Sequence, residues 1–211
     1  SKIRRGKRMI SNSNENPISN EWKRRYSEQS AEVKKRIDAI DQMNPKEYQL
    51  RVLKKTKNEL FEGDVFVLSP RENIFFYGKI LKVNINHIDK DTFVHGKNVV
   101  FIFKNKTTKP TIDDFKPDYS NLLIRPAIVD NSYWNKGLFY TVGNVGISEI
   151  EENLDYGFYK IGINSNWYCK EDGTILENEP HIVGVFGIAT MTGITSQIEK
   201  ELIINPALLE F

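Results

Sequence analysis

Residues 64–83 read Asp64-Val65-Phe66-Val67-Leu68, then Ser69-Pro70-Arg71-Glu72-Asn73, then Ile74-Phe75-Phe76-Tyr77-Gly78-Lys79-Ile80-Leu81-Lys82-Val83. A short apolar run, a cluster of turn formers and a second run rich in aromatic and branched residues make a β-hairpin signal. Gly78 inside the second run points to a bulge, a sharp bend or a close backbone approach. Further strands are expected at residues 98–104, 122–129, 137–142, 157–163, 167–170 and 181–186. The turn residues Glu171-Asp172-Gly173 support a hairpin between residues 160 and 179. Ser196-Gln197-Ile198-Glu199 has the form of a capping box and predicts a last helix running through Leu202. Residues 105–121 are expected to form a long loop, a partner-binding feature or an insertion.

Upstream of the hairpin the pattern changes from strand to helix. Trp22, Tyr26, Val33, Ile37 and Ile40 follow one another at four, seven, four and three residues, which places them on one helical face. Asn44-Pro45-Lys46-Glu47 reads as a cap, a first-turn proline and a capping-box acid, so a second helix carrying Tyr48, Val52, Leu53 and Leu60 is predicted. Residues 1–18 are polar and aperiodic and read as an extended or disordered tail. The chain thus divides into a polar tail over 1–18, a basic helical arm over 19–60 and a mainly β domain over 61–211. A chain beginning near Glu59 is expected to stay folded; unfolding would make Trp22, Tyr26 and Ile37 core residues.

Composition narrows the function classes. The 211 residues are 39% hydrophobic and 27% charged, enough for a buried core and against global disorder. No apolar run is long enough for a membrane span, and no apolar segment follows the basic N-terminus, so neither a span nor a secretory signal is expected. The single cysteine, Cys169, excludes an intramolecular disulfide and reads as a small buried residue. The net charge of +2 hides a split: residues 1–60 hold 16 Lys/Arg against 8 Asp/Glu, and residues 61–211 hold 14 against 20. A basic arm on an acidic body suits nucleic-acid contact by the arm, or simply a solvated helical face or an arm lying on its own body. His87, His95 and His181 lack metal-ligand spacing, and no nucleophile elbow, phosphate loop or dinucleotide fingerprint is present, so no cofactor and no catalytic residue is expected. His87 and His95 beside Asp89 and Asp91 are the nearest approach to a metal site. Glu149, Glu151, Glu152 and Asp155 read as an exposed acidic edge.

The run Glu62-Gly63-Asp64-Val65-Phe66-Val67-Leu68, followed by Tyr77-Gly78-Lys79-Ile80-Leu81, resembles the opening of the immunity protein 26 family. The resemblance continues through Ile128-Val129-Asp130-Asn131-Ser132-Tyr133-Trp134-Asn135-Lys136-Gly137-Leu138-Phe139 and extends over about residues 60–205. It implies a cytoplasmic, non-enzymatic bacterial protein from a polymorphic-toxin locus that binds and neutralises a cognate protein toxin, such as a basic nuclease. The family is also linked by similarity to a reported organophosphate hydrolase. A phosphoester hydrolase using His87, His95 and nearby acids, or a nucleic-acid-binding module using the arm, are therefore the alternatives. The expected fold is α+β, with a strongly bent antiparallel sheet or SH3-like barrel, an N-terminal helical arm and a C-terminal helix. An inhibitor needs a surface and no catalytic group. Tyr133, Trp134 and Phe139 are the candidate aromatic anchors, with Trp134 equally a core residue. Glu149, Glu151, Glu152 and Asp155 are the candidate steering charges. Reversing Glu151 and Glu152 to lysine is expected to slow association without unfolding.

Overall fold

The computed structural model describes residues 16–211; of the tail expected over residues 1–18, residues 1–15 lie outside the described residues, whereas Asn16 caps the first helix and Pro17 and Ile18 begin it. Among the described residues eight strands form two sheets. The first sheet contains β1 (Asp64–Arg71), β2 (Ile74–Lys82), β3 (Asn98–Thr107), β4 (Ala127–Val129) and β5 (Tyr140–Asn144), in the order β4-β3-β2-β1-β5 and antiparallel throughout. The second contains β6 (Tyr156–Ile161), β7 (Asn166–Cys169) and β8 (Ile182–Val185), in the order β7-β6-β8, with β6 and β8 parallel. Five helices accompany them: α1 (Pro17–Ser27), α2 (Ala31–Gln42), α3 (Ser132–Asn135), α4 (Glu149–Glu152) and α5 (Met191–Ile204).

The hairpin of β1 and β2 forms as its sequence demands, with Asn73 in the left-handed region at the turn (φ 59°). Its unbroken apolar run has a direct cause, because the sheet is covered on both faces. Phe66, Leu68, Phe76 and Ile80 point to one side, where they meet Leu50, Trp134, Phe139 and the α5 residues Ile194, Ile198 and Leu202. Val65, Val67, Tyr77 and Leu81 point to the other, where they meet Phe101, Phe103, Tyr156 and Phe158. The loop expected over residues 105–121 begins only after Thr107, where β3 ends, and folds onto this second face. Tyr77 donates to the Thr111 carbonyl at 2.6 Å, and Tyr119 packs edge-on against Phe101 and Phe103.

The sheets do not close into a barrel, so the SH3-like alternative is set aside. β4 and β5 are the edges of the first sheet, and an isolated parallel bridge between Ile128 and Ile188 links it to the segment following β8. Bending arises instead from register shifts between Leu68 and Arg71, and between Phe76 and Gly78. Gly78 is both bulge and close approach: a Cβ there would overlap the Phe66 ring. That ring stacks on Phe139 at 4.5 Å and meets Trp134 edge-on at 5.3 Å, so it has little room to move. Gly78→Ala is therefore expected to destabilise by about 1–3 kcal/mol through overpacking. A thermal melt checks this, each kcal/mol lowering Tm by about 2–4 °C in a chain of this size. An unchanged Tm would show that the ring yields.

The N-terminal region departs most from expectation. One predicted helix is two, because Asn16 caps α1 and Ser30 caps α2. The break falls in the seven-residue gap between Tyr26 and Val33. The anticipated stripe still assembles: Ile37 and Ile40 are buried with Tyr48 and Ile203, and Trp22, Tyr26 and Val33 pack against them. The helix predicted after Asn44 is a single 3-10 turn, Pro45–Glu47. Beyond it the chain runs extended over the body. Arg51 donates its backbone N–H to the Ser69 carbonyl (2.9 Å), Leu53 to Gly137 (2.8 Å) and Thr56 to Trp134 (3.1 Å). The last helix begins earlier than its sequence signal: Thr190 caps it, and Glu199 lies inside it, forked onto Arg71 at 2.6 and 2.7 Å.

Candidate functional site

The acidic edge is built around one buried carboxylate. Ser148 and Glu151 form a reciprocal capping box: the Glu151 N–H donates to Ser148 Oγ (3.2 Å), and the Ser148 N–H donates to Glu151 Oε1 (3.0 Å). The same Oε1 accepts from Lys79 Nζ on β2 at 2.6 Å, and Oε2 accepts from the Tyr119 hydroxyl. The Lys79 and Glu151 side chains are only 3% and 5% exposed. Burial pushes the Glu151 carboxyl upward, but Lys79, Tyr119 and the Ser148 N–H together outweigh it and hold the group below the ordinary glutamate range. Burial first, and the carboxylate next, push the Tyr119 phenol far upward, so it stays a donor.

Glu151 therefore belongs inside the body, which corrects its reading as an exposed steering charge. An acidic run reads as solvated, and its cation lies 72 positions away. With Glu151 as the hook, α4 turns Glu149 and Glu152 to solvent, and Ile150 is 76% exposed between them. Asp155 is exposed too; its carboxylate accepts the His181 N–H at 3.1 Å. The structure thus brings Glu149, Glu152 and Asp155 together as an outward edge.

Tyr133, Trp134 and Phe139 are core residues, which corrects their reading as partner-facing anchors. Trp134 is 1% exposed, donates to Thr141 Oγ1 at 3.1 Å and packs against Phe66 and Phe139. Tyr133 stacks on Phe139 and donates to the Ala189 carbonyl at 2.7 Å. The spacing of Trp134 and Gly137 has a structural cause. Gly137 sits at φ 78°, where a Cβ would crowd the Lys54 backbone, and both carbonyls receive the extended segment from residues 53–56.

The remaining sequence candidates are structural in position. His87 is buried, and its Nδ1 lies 2.9 Å from the Asp89 N–H; His95 Nδ1 accepts the His87 N–H at 3.2 Å. Both rings brace the loop between β2 and β3. Among the described residues no three His, Cys, Asp or Glu side chains group as a metal site. Burial pushes the Cys169 thiol up to about 12, far from the thiolate a nucleophile needs. On the arm, Arg25 forks onto Glu201 of α5 at 2.7 Å through both nitrogens. A cleft of about 910 Å³ lies between α1, residues 119–127, β8 and α5, and the sequence had not signalled it. Its main charges are spent internally, Arg25 on Glu201 and Arg125 on Glu21. Among the described residues no helix is long and apolar enough to cross a membrane.

The two-sheet body with its hooked acidic edge defines an α+β protein whose outward features are shape and charge. The chain belongs to the immunity protein 26 family, whose sequence profile matches residues 61–169. The match covers β1 through β7 and stops short of the residue 205 limit of the resemblance. No curated protein and no solved structure matches the chain.

Proposed function

We propose that this protein binds and neutralises a cognate polymorphic toxin by stoichiometric, non-catalytic inhibition in the bacterial cytoplasm. Family membership over residues 61–169 carries this reading. The outward edge of Glu149, Glu152 and Asp155 supports a basic partner, such as a nuclease, because an acidic surface accelerates encounter with a cationic one. The burial of Glu151 supplies the rigidity that such an edge needs.

The test is residual activity of the product of the adjoining toxin gene against inhibitor concentration, paired with association kinetics at two salt concentrations. Inhibition saturates at a fixed inhibitor-to-toxin ratio. Glu149→Lys with Glu152→Lys slows association by about tenfold at low ionic strength and flattens its salt dependence. Time-dependent inactivation by substoichiometric inhibitor would mean catalysis and would sink the proposal. Unchanged association in the double variant would remove only the role of the edge.

A further inference from the structure

The geometry points to one end of the five-stranded sheet as the docking face, with Phe93 and Ile88 as its apolar anchors and the α4 carboxylates as its rim. This rests on the inhibitor reading above. Antiparallel pairing brings three chain segments to that end: residues 59–63 before β1, the loop 83–97 between β2 and β3, and residues 145–155 after β5. The first and third are hydrogen-bonded directly, and the loop is linked to them through β2 and through the turn at residues 170–173. Val145 donates to the Gly63 carbonyl at 3.1 Å, and Gly63 donates to Ile80 at 2.8 Å. Ile88 donates to Asp172 at 2.8 Å, and Lys170 in the same turn sits 3.3 Å over the Tyr156 ring, next to Asp155. The face is therefore continuous from α4 to the loop.

Three observations mark it as a recognition surface. First, Phe61, Ile88, Phe93, Val145 and Ile150 are each more than half exposed, Phe93 at 86% and Ile88 at 74%. Aromatic side chains that become buried on binding dominate interface energies. Second, the loop is longer than a β-hairpin requires and is braced throughout. Thr92 donates to the Asp89 carbonyl, His95 to Thr92, Lys97 to Val94 and Gly96 to Ile85, while Ile85, His87 and Val94 are buried beneath. Phe93 is thus held in water by an ordered scaffold, and binding sacrifices little loop entropy. Third, residues 59–63, 83–97 and 145–155 hold seven acidic residues, besides the buried Glu151 already paired with Lys79, against two lysines. That charge repels an anionic lipid surface or a second copy of this face and suits a cationic protein. The occupant is a toxin whose basic surface contains an apolar pocket for Phe93.

The experiment measures binding of the purified product of the adjoining toxin gene to wild type, Phe93→Ala, Ile88→Ala and Ile163→Ala. Ile163 is fully exposed in the hairpin between β6 and β7, away from this face, and serves as the control. Phe93→Ala is expected to raise Kd by about 30-fold or more, mainly through faster dissociation, with Tm unchanged. Ile163→Ala binds as wild type. Tight wild-type binding with Phe93→Ala and Ile88→Ala both within threefold of it would overturn this face and leave the inhibitor reading standing. Failure of the wild-type protein to bind would overturn both. Sedimentation of the protein alone supplies the other arm: a homodimer abolished by Phe93→Ala would make a second copy the occupant and refute the toxin assignment.

Discussion

A chain that begins at Glu59 is expected to lose its cooperative fold. The segment it lacks contributes Ile37, Ile40 and Tyr48 to a cluster with Ile203 of α5, and contributes Leu50, 1% exposed, to the main core beside Phe66 and Trp134. Burying each such side chain stabilises by about 1.5–3 kcal/mol, so the four together reach about 6–12 kcal/mol as an upper estimate. Whole domains are stable by about 5–15 kcal/mol. The backbone donors of Arg51, Leu53 and Thr56, and the carbonyls they satisfy, are lost as pairs as well. Deleting α1 alone is a milder change. That helix buries no residue fully: Trp22 and Tyr26 pack on the rim of the Ile37 cluster, and the ion pairs of Arg25 with Glu201 and Glu21 with Arg125 are partly exposed and so worth little. Urea unfolding followed by near-UV circular dichroism distinguishes the two truncations. The Glu59 start gives no cooperative transition, while a chain starting at Ser30 keeps one. A Glu59 chain that melts within a few degrees of the full protein would restore the separable arm.

The contrast shows what local pattern conveys and what it omits. The β1–β2 hairpin was legible because both of its faces are buried, and a strand covered twice leaves an unbroken apolar run. Residues 48–60 misled because Asn44-Pro45-Glu47 satisfies a single 3-10 turn as well as it begins a helix. The decisive partners of that segment are carbonyls on β1, in α3 and just after α3, which no local pattern names. Alternation was the available signal: Tyr48 and Leu50 are buried while Gln49 and Arg51 are exposed, the period of an extended chain. At the candidate site the edge was legible as acidic, but not the inward direction of Glu151. Phe93 and Ile88 drew no notice because an exposed hydrophobic residue is recognised only once exposure is known.

Glu151→Lys is expected to be the most damaging single substitution on α4, by about 3–5 kcal/mol or more, because it sets two ammonium groups against each other in a buried site. Glu149→Lys and Glu152→Lys, two residues before and one after but in solvent, should each stay within about 0.5 kcal/mol. The pair also predicts acid lability. The Glu151 carboxyl titrates below its unfolded value in the folded state, so its contribution is present above the unfolded pKa and disappears as pH falls through the folded one. Wild-type stability should therefore decline below the ordinary glutamate range, and Glu151→Gln should remove that part of the decline while lowering stability at neutral pH. Lys79→Met with Glu151→Leu, which takes out both charges, should recover much of what either single change loses, since an apolar pair of similar volume often replaces a buried ion pair without penalty. Urea unfolding from pH 3 to 8, which spans the ordinary glutamate pKa of about 4.3, measures all of this. A Glu151→Lys protein that unfolds like Glu149→Lys would mean that α4 is not anchored through Lys79. The consequence reaches recognition: with the hook broken, Glu149, Ile150 and Glu152 lose their fixed place beside Asp155. Binding at that end of the sheet should then fall even under conditions where Glu151→Lys remains folded.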